Sequence, residues 1–512
     1  MAASTDMPNL SYEKQARGNS QHYEDIALNF TLENEPVTLT PEDDRQCLRR
    51  VDMVMMPLMF LSFGLQYMDK ACLTGAALFG IIEDLNLFDI VEINNKPALS
   101  LQKYTYCSLI FFWGYLLGVV PAVYFCQRLP IAKYIGATIF LWGGITVCTA
   151  AVTSYHGLLI LRFFLGFTEA AVAPAFSLIT AMWYKREEQP LRFAFWYSST
   201  GIGALVGNLI LYAIGHIHGS LAPWKYQFMV IGSITAVWGL IIILVLPDNP
   251  VKAKFLNKKM KVIAVERMRL ELTGIENKSV KIYQIKEAFV DPKNWLGALF
   301  VFSINLANGA VGAFGSVITS GFGYSSFQSV LILGGLGVFI FMGLLGTGLA
   351  AVFIRNIRCI CVFICCFPVI AGSVMIWKST WVVKAVPLAG LFLLGFYPAA
   401  HVMTLSVISI NTAGHTKKAV TAGLMWVAYC ASNGIAPLTV RTTEKALHYP
   451  TTFKIILPTT SLSILLIATL YVFLRHENRK RDARAPIDDD QMAATAFLDL
   501  TDRENPAFRY RL

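Results

Sequence analysis

The sequence predicts an all-α membrane protein in which twelve transmembrane helices form two six-helix bundles. Three observations support this prediction: an apolar composition, twelve apolar segments of membrane-spanning length, and a polar connector that separates them into two sets of six. Of the 512 residues, 55% are hydrophobic and only 15% are charged, whereas a soluble domain carries about 25% charged residues. The composition therefore disfavours a soluble globular enzyme.

The apolar segments divide evenly around the polar stretch from Pro247 to Lys293. Each is close to the length of about 20 apolar residues that a membrane helix needs. The first six lie at about 53–72, 105–126, 135–154, 157–181, 193–215 and 226–246. The second six lie at about 295–318, 327–353, 359–377, 382–409, 420–440 and 453–474. Two equal sets predict two bundles related by a repeat about an axis along the membrane normal.

This division gives five regions along the chain. We expect a cytosolic N-terminal tail at 1–50, an N-terminal bundle at 51–247, a cytosolic connector at 248–294, a C-terminal bundle at 295–475 and a cytosolic C-terminal tail at 476–512. The connector contains an amphipathic segment from about Asn257 to Glu271, which predicts a helix lying on the inner leaflet. The alternative is a helix docked onto the gate between the bundles. The polar tails, with the acidic run Asp488 to Asp490, predict disorder.

The distribution of charge indicates topology rather than nucleic-acid binding. The net charge is +10, but the cations lie in short clusters between apolar segments and not in one basic domain. With both termini in the cytosol, Lys and Arg are in excess on the cytosolic side, largely in the connector and the tails, and the sign of this excess fits the positive-inside rule. The short loops alone favour neither side. We therefore expect a multi-pass protein in a lipid bilayer, with no nucleic-acid partner.

Two carboxylates, Asp69 and Glu169, lie within the apolar segments of the first half, and no carboxylate lies between Asp291 and Glu444. A charged side chain in a span costs about 2.5–3.5 kcal/mol on the insertion scale, so it usually faces a wet cavity and has a partner. Arg162 precedes Glu169 by two helical turns and lies about 10 Å from it, too far for a direct pair. Asp69 and the adjacent Lys70, at the outer end of the first segment, supply a partner of each sign.

These residues predict a proton-coupled anion site. Glu169 and Asp69 are the candidates for proton coupling, and Lys70 and Arg162 are the candidates for binding an anionic substrate. Coupling follows when the substrate and the carboxylate compete for one cation. Structural alternatives remain open: an Arg162–Asp69 ion pair between helices 1 and 4, a purely structural Glu169, or Asp69 and Lys70 as markers of the water interface.

Polar residues in the second half are further candidates for substrate binding. Side-chain amides and flexible backbone can form hydrogen bonds with a substrate where a helix opens. The candidates are Asn305 and Asn308 of helix 7, Tyr397 and His401 of helix 10, and Asn433 of helix 11. Helix packing is the alternative role for each, and His401 is either a proton relay or a structural contact. No His, Cys and carboxylate set has the spacing of a metal site, and no cofactor is expected.

Several motifs, in order along the chain, resemble one known family. They are Leu65–Lys70, Gln127–Pro130, Phe167–Pro174, Met182–Pro190, Leu272–Lys278 and Asn411–Lys418. They are similar to motifs of the fungal allantoate permease group, in the anion:cation symporter family of the major facilitator superfamily. The resemblance covers roughly residues 45–480. The chain departs from the superfamily pattern at Gln127–Arg128, which lacks the usual loop carboxylate, and at Ser432 and Ala436, which replace glycines.

The resemblance implies the major facilitator fold and the transport of organic anions such as allantoate or nicotinate, usually with protons. It implies that the cation of helix 1, Lys70, holds the substrate carboxylate and that the acid of helix 4, Glu169, carries the proton. We therefore expect a monomeric symporter of a small organic anion that works by alternating access, in the plasma membrane or the vacuolar membrane. The alternatives are an exporter of a secondary metabolite and a nutrient-sensing receptor without transport; an enzyme is not expected.

Overall fold

A computed structural model describes residues 40–93, 96–217, 219–269, 280–354, 356–483, 500–505 and 507–512. In these ranges, twelve helical segments are long and apolar enough to cross a membrane, and we number them spans 1 to 12 in chain order. Spans 1 to 6 are Pro41–Ala76, Gln102–Arg128, Ile131–Thr149, Tyr155–Trp183, Gln189–Gly215 and Pro223–Val245. Spans 7 to 12 are Pro292–Gly321, Ser326–Phe353, Arg358–Lys378, Ala385–Ile410, His415–Thr439 and Pro450–Asp482.

Shorter elements connect the spans at both ends of the molecule. We call the end at which span 1 begins and span 12 ends the terminal face, and the other end the opposite face. The opposite face carries a short helix, Ile81–Asp84, the antiparallel hairpin of β1 (Asp89–Ile93) and β2 (Lys96–Ser100), and a 3₁₀ turn, Thr442–Leu447. The terminal face carries two connector helices, Lys258–Arg269 and Ile282–Val290.

The spans pack as two bundles with the same internal pairings. In the first bundle, span 1 packs on span 5, span 2 on span 4 and span 3 on span 6; in the second, span 7 packs on span 11, span 8 on span 10 and span 9 on span 12. Across the bundles, span 5 packs on span 8 and span 2 on span 11. The all-α fold with twelve membrane helices is thus confirmed, and the pairings follow the repeat that the sequence predicts.

Small residues allow the closest of these contacts. A Cβ atom at Gly166 of span 4 would overlap the backbone oxygen of Phe111 in span 2, and one at Gly114 would overlap the backbone of Phe163. Without a hydrophobic driving force between helices in lipid, such close approach supplies much of the packing energy. Spans 2 and 4 are therefore held at a fixed separation.

Two spans are broken near the middle of the molecule. Span 4 consists of helices Tyr155–Glu169 and Val172–Trp183, and span 10 consists of Ala385–Leu394 and Tyr397–Ile410. A proline lies in the first turn of the second helix in each case, Pro174 and Pro398. Irregular backbone at membrane depth is tolerated where it is buried in protein or lines a cavity.

Span 1 begins before the predicted bundle boundary at residue 51. Its first turn is polar, with Glu42, Asp43 and Asp44, and the Thr40 side chain caps it by accepting from the Asp43 backbone N–H at 3.1 Å. Acidic residues in a first turn favour the helix N-terminus. Because this turn projects beyond the apolar layer, a search for apolar segments does not detect it.

The connector helix Lys258–Arg269 packs on protein, so its predicted position on the leaflet is wrong. The buried guanidinium of Arg267 contacts the Asp44 and Glu188 carboxylates, each at 2.6 Å. Met260 also accepts a hydrogen bond from the Cys47 thiol through its backbone oxygen. The helix is therefore docked on the terminal face of the first bundle, close to the docked alternative. Residues 270–279 lie outside the described ranges.

The end of the C-terminal tail is also packed against the protein. Residues 500–505 and 507–512 lie on the terminal face, where the Asp502 and Phe508 side chains are buried. The prediction that the tail is disordered is wrong for these residues, because their polar side chains find charged partners in distant parts of the chain. The acidic run Asp488 to Asp490 lies outside the described residues.

Candidate substrate site

A cavity lies between the two bundles and encloses about 1220 Å³ of empty space, including its opening to solvent. Residues from both bundles line it, from Gln66 and Lys70 in span 1 to Asn433 in span 11. The two cations on the wall are Lys70 and Arg162, and none of the lining residues that the structure describes is an aspartate or glutamate. The charged side chains on the wall itself are therefore both cationic, which favours an anionic ligand.

Lys70 lies at the boundary between the cavity and the interior of the first bundle. Its Nζ is 2.8 Å from Oε1 of Glu169; the Lys70 side chain is 26% exposed, whereas that of Glu169 is fully buried. The ammonium group also lies 5.5 Å from the ring centre of Phe111 and 5.8 Å from that of Tyr115. Glu169 is thus behind the wall, and Lys70 is the group that a ligand and Glu169 can both reach.

Asp69 points away from the cavity into a polar pocket formed by span 3. Its Oδ2 accepts hydrogen bonds from Trp142 Nε1 at 2.6 Å and from Thr146 Oγ1 at 3.0 Å. Only 1% of Asp69 is exposed, so it does not mark the water interface. Among the ion pairs of the described residues, none joins Asp69 to Arg162. The alternative of a direct Arg162–Asp69 ion pair is therefore wrong.

Arg162 is a buried cation on the cavity wall. Only 3% of the residue is exposed, and within the described part of the chain its Nε and Nη2 atoms have no hydrogen-bond partner. Its guanidinium lies 5.7 Å from the ring centre of Phe228. A buried donor without a partner is costly, so this group is available to an acceptor that enters the cavity.

The second bundle contributes a hydrogen-bonded amide and two phenols to the wall. Asn308 accepts from the Tyr397 hydroxyl through Oδ1 and donates to the Tyr429 hydroxyl at 3.2 Å through Nδ2. Asn433 also lines the cavity, and its Nδ2 donates to the Tyr429 backbone oxygen at 2.8 Å. These contacts fix the orientation of the polar groups that face Lys70 across the cavity.

Asn305 and His401 lie behind the wall and are not among the lining residues. Asn305 Nδ2 and His401 Nδ1 are 3.1 Å apart, and the imidazole packs among the rings of Tyr197, Trp426 and Tyr429. The expectation of direct substrate binding by these two residues does not fit this arrangement. They hold the aromatic wall in place from behind.

The aromatic part of the wall is what the sequence reasoning missed. Besides Tyr397, the lining includes Phe63, Tyr67, Phe111, Phe112, Tyr115, Tyr197, Trp426 and Tyr429. Trp426, Tyr429 and Asn433 follow one another at helical spacing on span 11, which places them on one face. This spacing was a usable signal, but aromatic residues are so frequent in the other spans that it does not stand out.

Comparison with known proteins agrees with the fold and the order of the motifs. The Major Facilitator Superfamily profile matches residues 59–437. The chain is 33% identical to the allantoate permease of Saccharomyces cerevisiae over 95% of this chain and 90% of that protein. It is 31% identical to the thiamine pathway transporter THI73 of the same yeast, over 95% of this chain and 93% of that protein.

A relative in Schizosaccharomyces pombe, an uncharacterized transporter, is 35% identical over 95% of this chain and 91% of its own length. Among solved structures, the proton:xylose symporter XylE superposes with a TM-score of 0.63 at 12% identity, covering 82% of this chain and 95% of that one. At that identity the superposition shows the fold alone. With the profile match and the full-length relatives, the chain belongs to the major facilitator superfamily and is a secondary transporter.

Proposed function

We propose that this transporter carries a small organic anion together with a proton, by alternating access. The observation that carries the proposal is the ion pair between Lys70, on the cavity wall, and Glu169, buried behind it. An anionic substrate is supported by the cavity wall, whose lining residues, in the part of the chain that the structure describes, include two cations and no aspartate or glutamate. The similarity to a permease named for allantoate, itself a carboxylate, agrees with this substrate class.

The coupling follows from the position of Lys70 between two competing carboxylates. When the carboxylate of a substrate binds the Lys70 ammonium, Glu169 loses its counter-ion inside a bundle where it has no access to bulk water. A buried carboxylate without a partner is destabilised by about 3–5 kcal/mol, so Glu169 takes up a proton. One anion and one proton then cross together, and the charge of the site does not change.

Incomplete loading is disfavoured by the same energetics. A protonated Glu169 without substrate leaves the Lys70 ammonium unpaired, and substrate with a charged Glu169 leaves two carboxylates competing for one cation. Arg162 offers a second donor for the substrate, and Asn308 and Tyr397 line the cavity on the side of the other bundle. Asp69 makes no ion pair with Arg162, but the two opposite charges attract each other across the interior of the first bundle.

A screen of labelled small carboxylates tests this function. Cells that express the protein are given each compound at an acidic and at a neutral external pH, and uptake is compared with that of cells expressing Glu169→Gln. We expect one class of carboxylate to enter faster at acidic pH with the wild-type protein only. Acid-independent uptake, or acid-stimulated uptake that persists in Glu169→Gln, contradicts the proposal. Counterflow in proteoliposomes under an imposed pH gradient distinguishes import from export.

The terminal face is cytosolic in this proposal, and the membrane is the plasma membrane. Support comes from cations on this face, among them Lys185 and Arg186 in the loop between spans 4 and 5 and Arg192 in the first turn of span 5. In a Cys148→Ser background, an impermeant maleimide should label Ser220→Cys, an exposed site on the opposite face, in intact cells. It should label Lys133→Cys, exposed on the terminal face, only after permeabilisation. The reverse pattern contradicts this orientation.

A further inference from the structure

The C-terminal residues 500–505 and 507–512, which we call the strap, lie across the terminal face and contact both bundles. The strap follows span 12, so it belongs by connection to the second bundle. Its contacts fall into two groups: a buried cluster of charges on the second bundle, and, on the first bundle, the contacts of the buried Arg186 together with one exposed ion pair, Arg511–Glu187. The ion pairs of the first group are buried, whereas the one ion pair of the second group is exposed to water.

The anchor is the fully buried carboxylate of Asp502. It contacts Lys293 Nζ, at the start of span 7, at 3.0 Å and Lys417 Nζ, in the first turn of span 11, at 2.7 Å. The Tyr510 hydroxyl donates to the same carboxylate at 2.9 Å. Burial raises the pKa of Asp502, but the two ammonium groups lower it by more than burial raises it. The pKa of this carboxyl is therefore well below its usual range.

The other charges around this anchor also belong to the second bundle and the segment that leads into it. Asp291 is 2.9 Å from Lys417 and 3.5 Å from Lys293, and Glu287 is 2.9 Å from Lys417. A buried cluster with such paired charges is costly to disrupt, because removing one partner leaves another charge buried without one. The strap therefore stays attached to the second bundle while the bundles move.

The contacts with the first bundle are made by the loop that joins spans 4 and 5. Arg186 stacks over the Phe508 ring, 4.1 Å from its centre, and donates through Nη2 to the Arg509 backbone oxygen at 2.9 Å. Arg511 Nη2 is 3.2 Å from Oε1 of Glu187, and these side chains are 36% and 62% exposed. Such an exposed ion pair is weak and is easily exchanged for water.

Arg511 contacts the second bundle through its main chain and the first bundle through its side chain. Its backbone N–H donates to Asn411 Oδ1 and its backbone oxygen accepts from Asn411 Nδ2, both at 2.7 Å, which fixes its main chain to the end of span 10. Its side chain alone crosses to Glu187. A separation of the bundles at this face must break the Glu187 contact, whereas it leaves the Asn411 contacts unchanged.

We propose that the strap is a latch on the terminal face: it remains anchored to the second bundle through Asp502 and releases Arg186 and Glu187 when this face opens. The latch adds to the direct contact in which Arg186 Nε donates to the Ile410 backbone oxygen at 2.8 Å. It sets how often the terminal face opens. This inference concerns the opening of one face and is independent of which solute is carried.

Double electron–electron resonance, which measures the distance between two spin labels, tests the latch on the purified full-length protein without any substrate. Nitroxide labels are placed at Lys133→Cys in the first bundle and Asn356→Cys in the second, both exposed on the terminal face, in the Cys148→Ser background. The unmodified strap should give mainly the short distance. Arg511→Glu, which places two acids together, should raise the ratio of long to short distances by roughly fivefold, the scale of an exposed ion pair.

Two matched variants separate a latch from general damage. Adding Glu187→Arg to Arg511→Glu restores the opposite charges and should restore the short distance. Arg503→Glu makes the same charge change at a similarly exposed strap residue whose ion pair, at 3.6 Å to Asp291, stays within the second bundle; it should leave the distances unchanged. An unchanged distribution in Arg511→Glu, a failure of the charge swap to restore it, or an equal shift in Arg503→Glu overturns the proposal.

Discussion

Replacing Glu169 with Gln should tighten substrate binding while abolishing proton-driven accumulation. In the wild-type protein a substrate must displace Glu169 from Lys70, a contact at 2.8 Å with one partner fully buried. The variant has no such competitor, because a neutral amide accepts only an ordinary hydrogen bond from the ammonium. Removal of one competitor from a shared cation is therefore the physical basis of the expected gain in affinity.

The size of the gain follows from the strength of that contact. A hydrogen bond to a charged group contributes about 1.5–3 kcal/mol, and each 1.4 kcal/mol changes a dissociation constant tenfold, so the gain should be about 10- to 100-fold. Because Lys70 is 26% exposed to the cavity, we expect the lower part of this range. The affinity of the variant should also be constant between about pH 5 and 8, since the proton site is gone.

Binding of the labelled substrate to purified protein at several pH values measures both effects, and exchange in proteoliposomes shows whether the variant still moves substrate. Asp84→Asn is the matched control: this carboxylate accepts from Trp224 Nε1 at 2.7 Å and is not part of the cavity wall. It should leave affinity and pH dependence unchanged. If Glu169→Gln binds with wild-type affinity and keeps the wild-type pH dependence, competition for Lys70 is not the coupling step.

Three further predictions concern packing, the strap and the aromatic wall. Gly166→Val should abolish folded protein, because its side chain would overlap the Phe111 backbone; Gly144→Val, with no atom near a new Cβ, should give normal yield by size-exclusion chromatography. Asp502→Asn should lower the thermal midpoint at neutral pH. Because the pKa of Asp502 is depressed in the folded state, the stability that this carboxylate contributes is complete above about pH 4. This contribution is lost as the pH falls through the folded pKa. The thermal midpoints of the wild type and the variant should therefore converge only in strong acid. Tyr397→Phe, which removes the donor to Asn308, should weaken substrate binding by about 0.5–1.5 kcal/mol, or up to roughly tenfold, in the same binding assay.

The sequence predicts those parts of the molecule that depend on the bilayer. A span must be apolar over a fixed length and must satisfy its backbone internally, so the twelve spans are visible from composition alone. A charge within a span is costly, so Lys70 and Glu169 are visible as well. Their pairing follows from the scarcity of other partners at that depth.

The features at the terminal face depend on water and on distant contacts, which leave no such pattern. Thr40 extends span 1 by capping a polar turn, and polar turns are equally common in loops. Asp502 is buried only because Lys293 and Lys417 meet it from positions far away in the chain. A polar tail therefore suggests disorder until the partners of its charges are known.

The two helices of span 4 connect the candidate substrate site to the loop that the strap contacts. Glu169 ends the first helix of span 4, and Arg186 and Glu187 follow the second helix of the same span. The break between these helices, at Ala170 and Ala171, lies directly after Glu169, the residue that we propose carries the proton. Release of the Lys70–Glu169 contact removes a constraint on the first helix, and the second helix leads directly to the loop that the strap holds. Span 4 thus connects Glu169, whose charge changes in the proposed cycle, to Arg186 and Glu187, whose contacts with the strap must break for the terminal face to open.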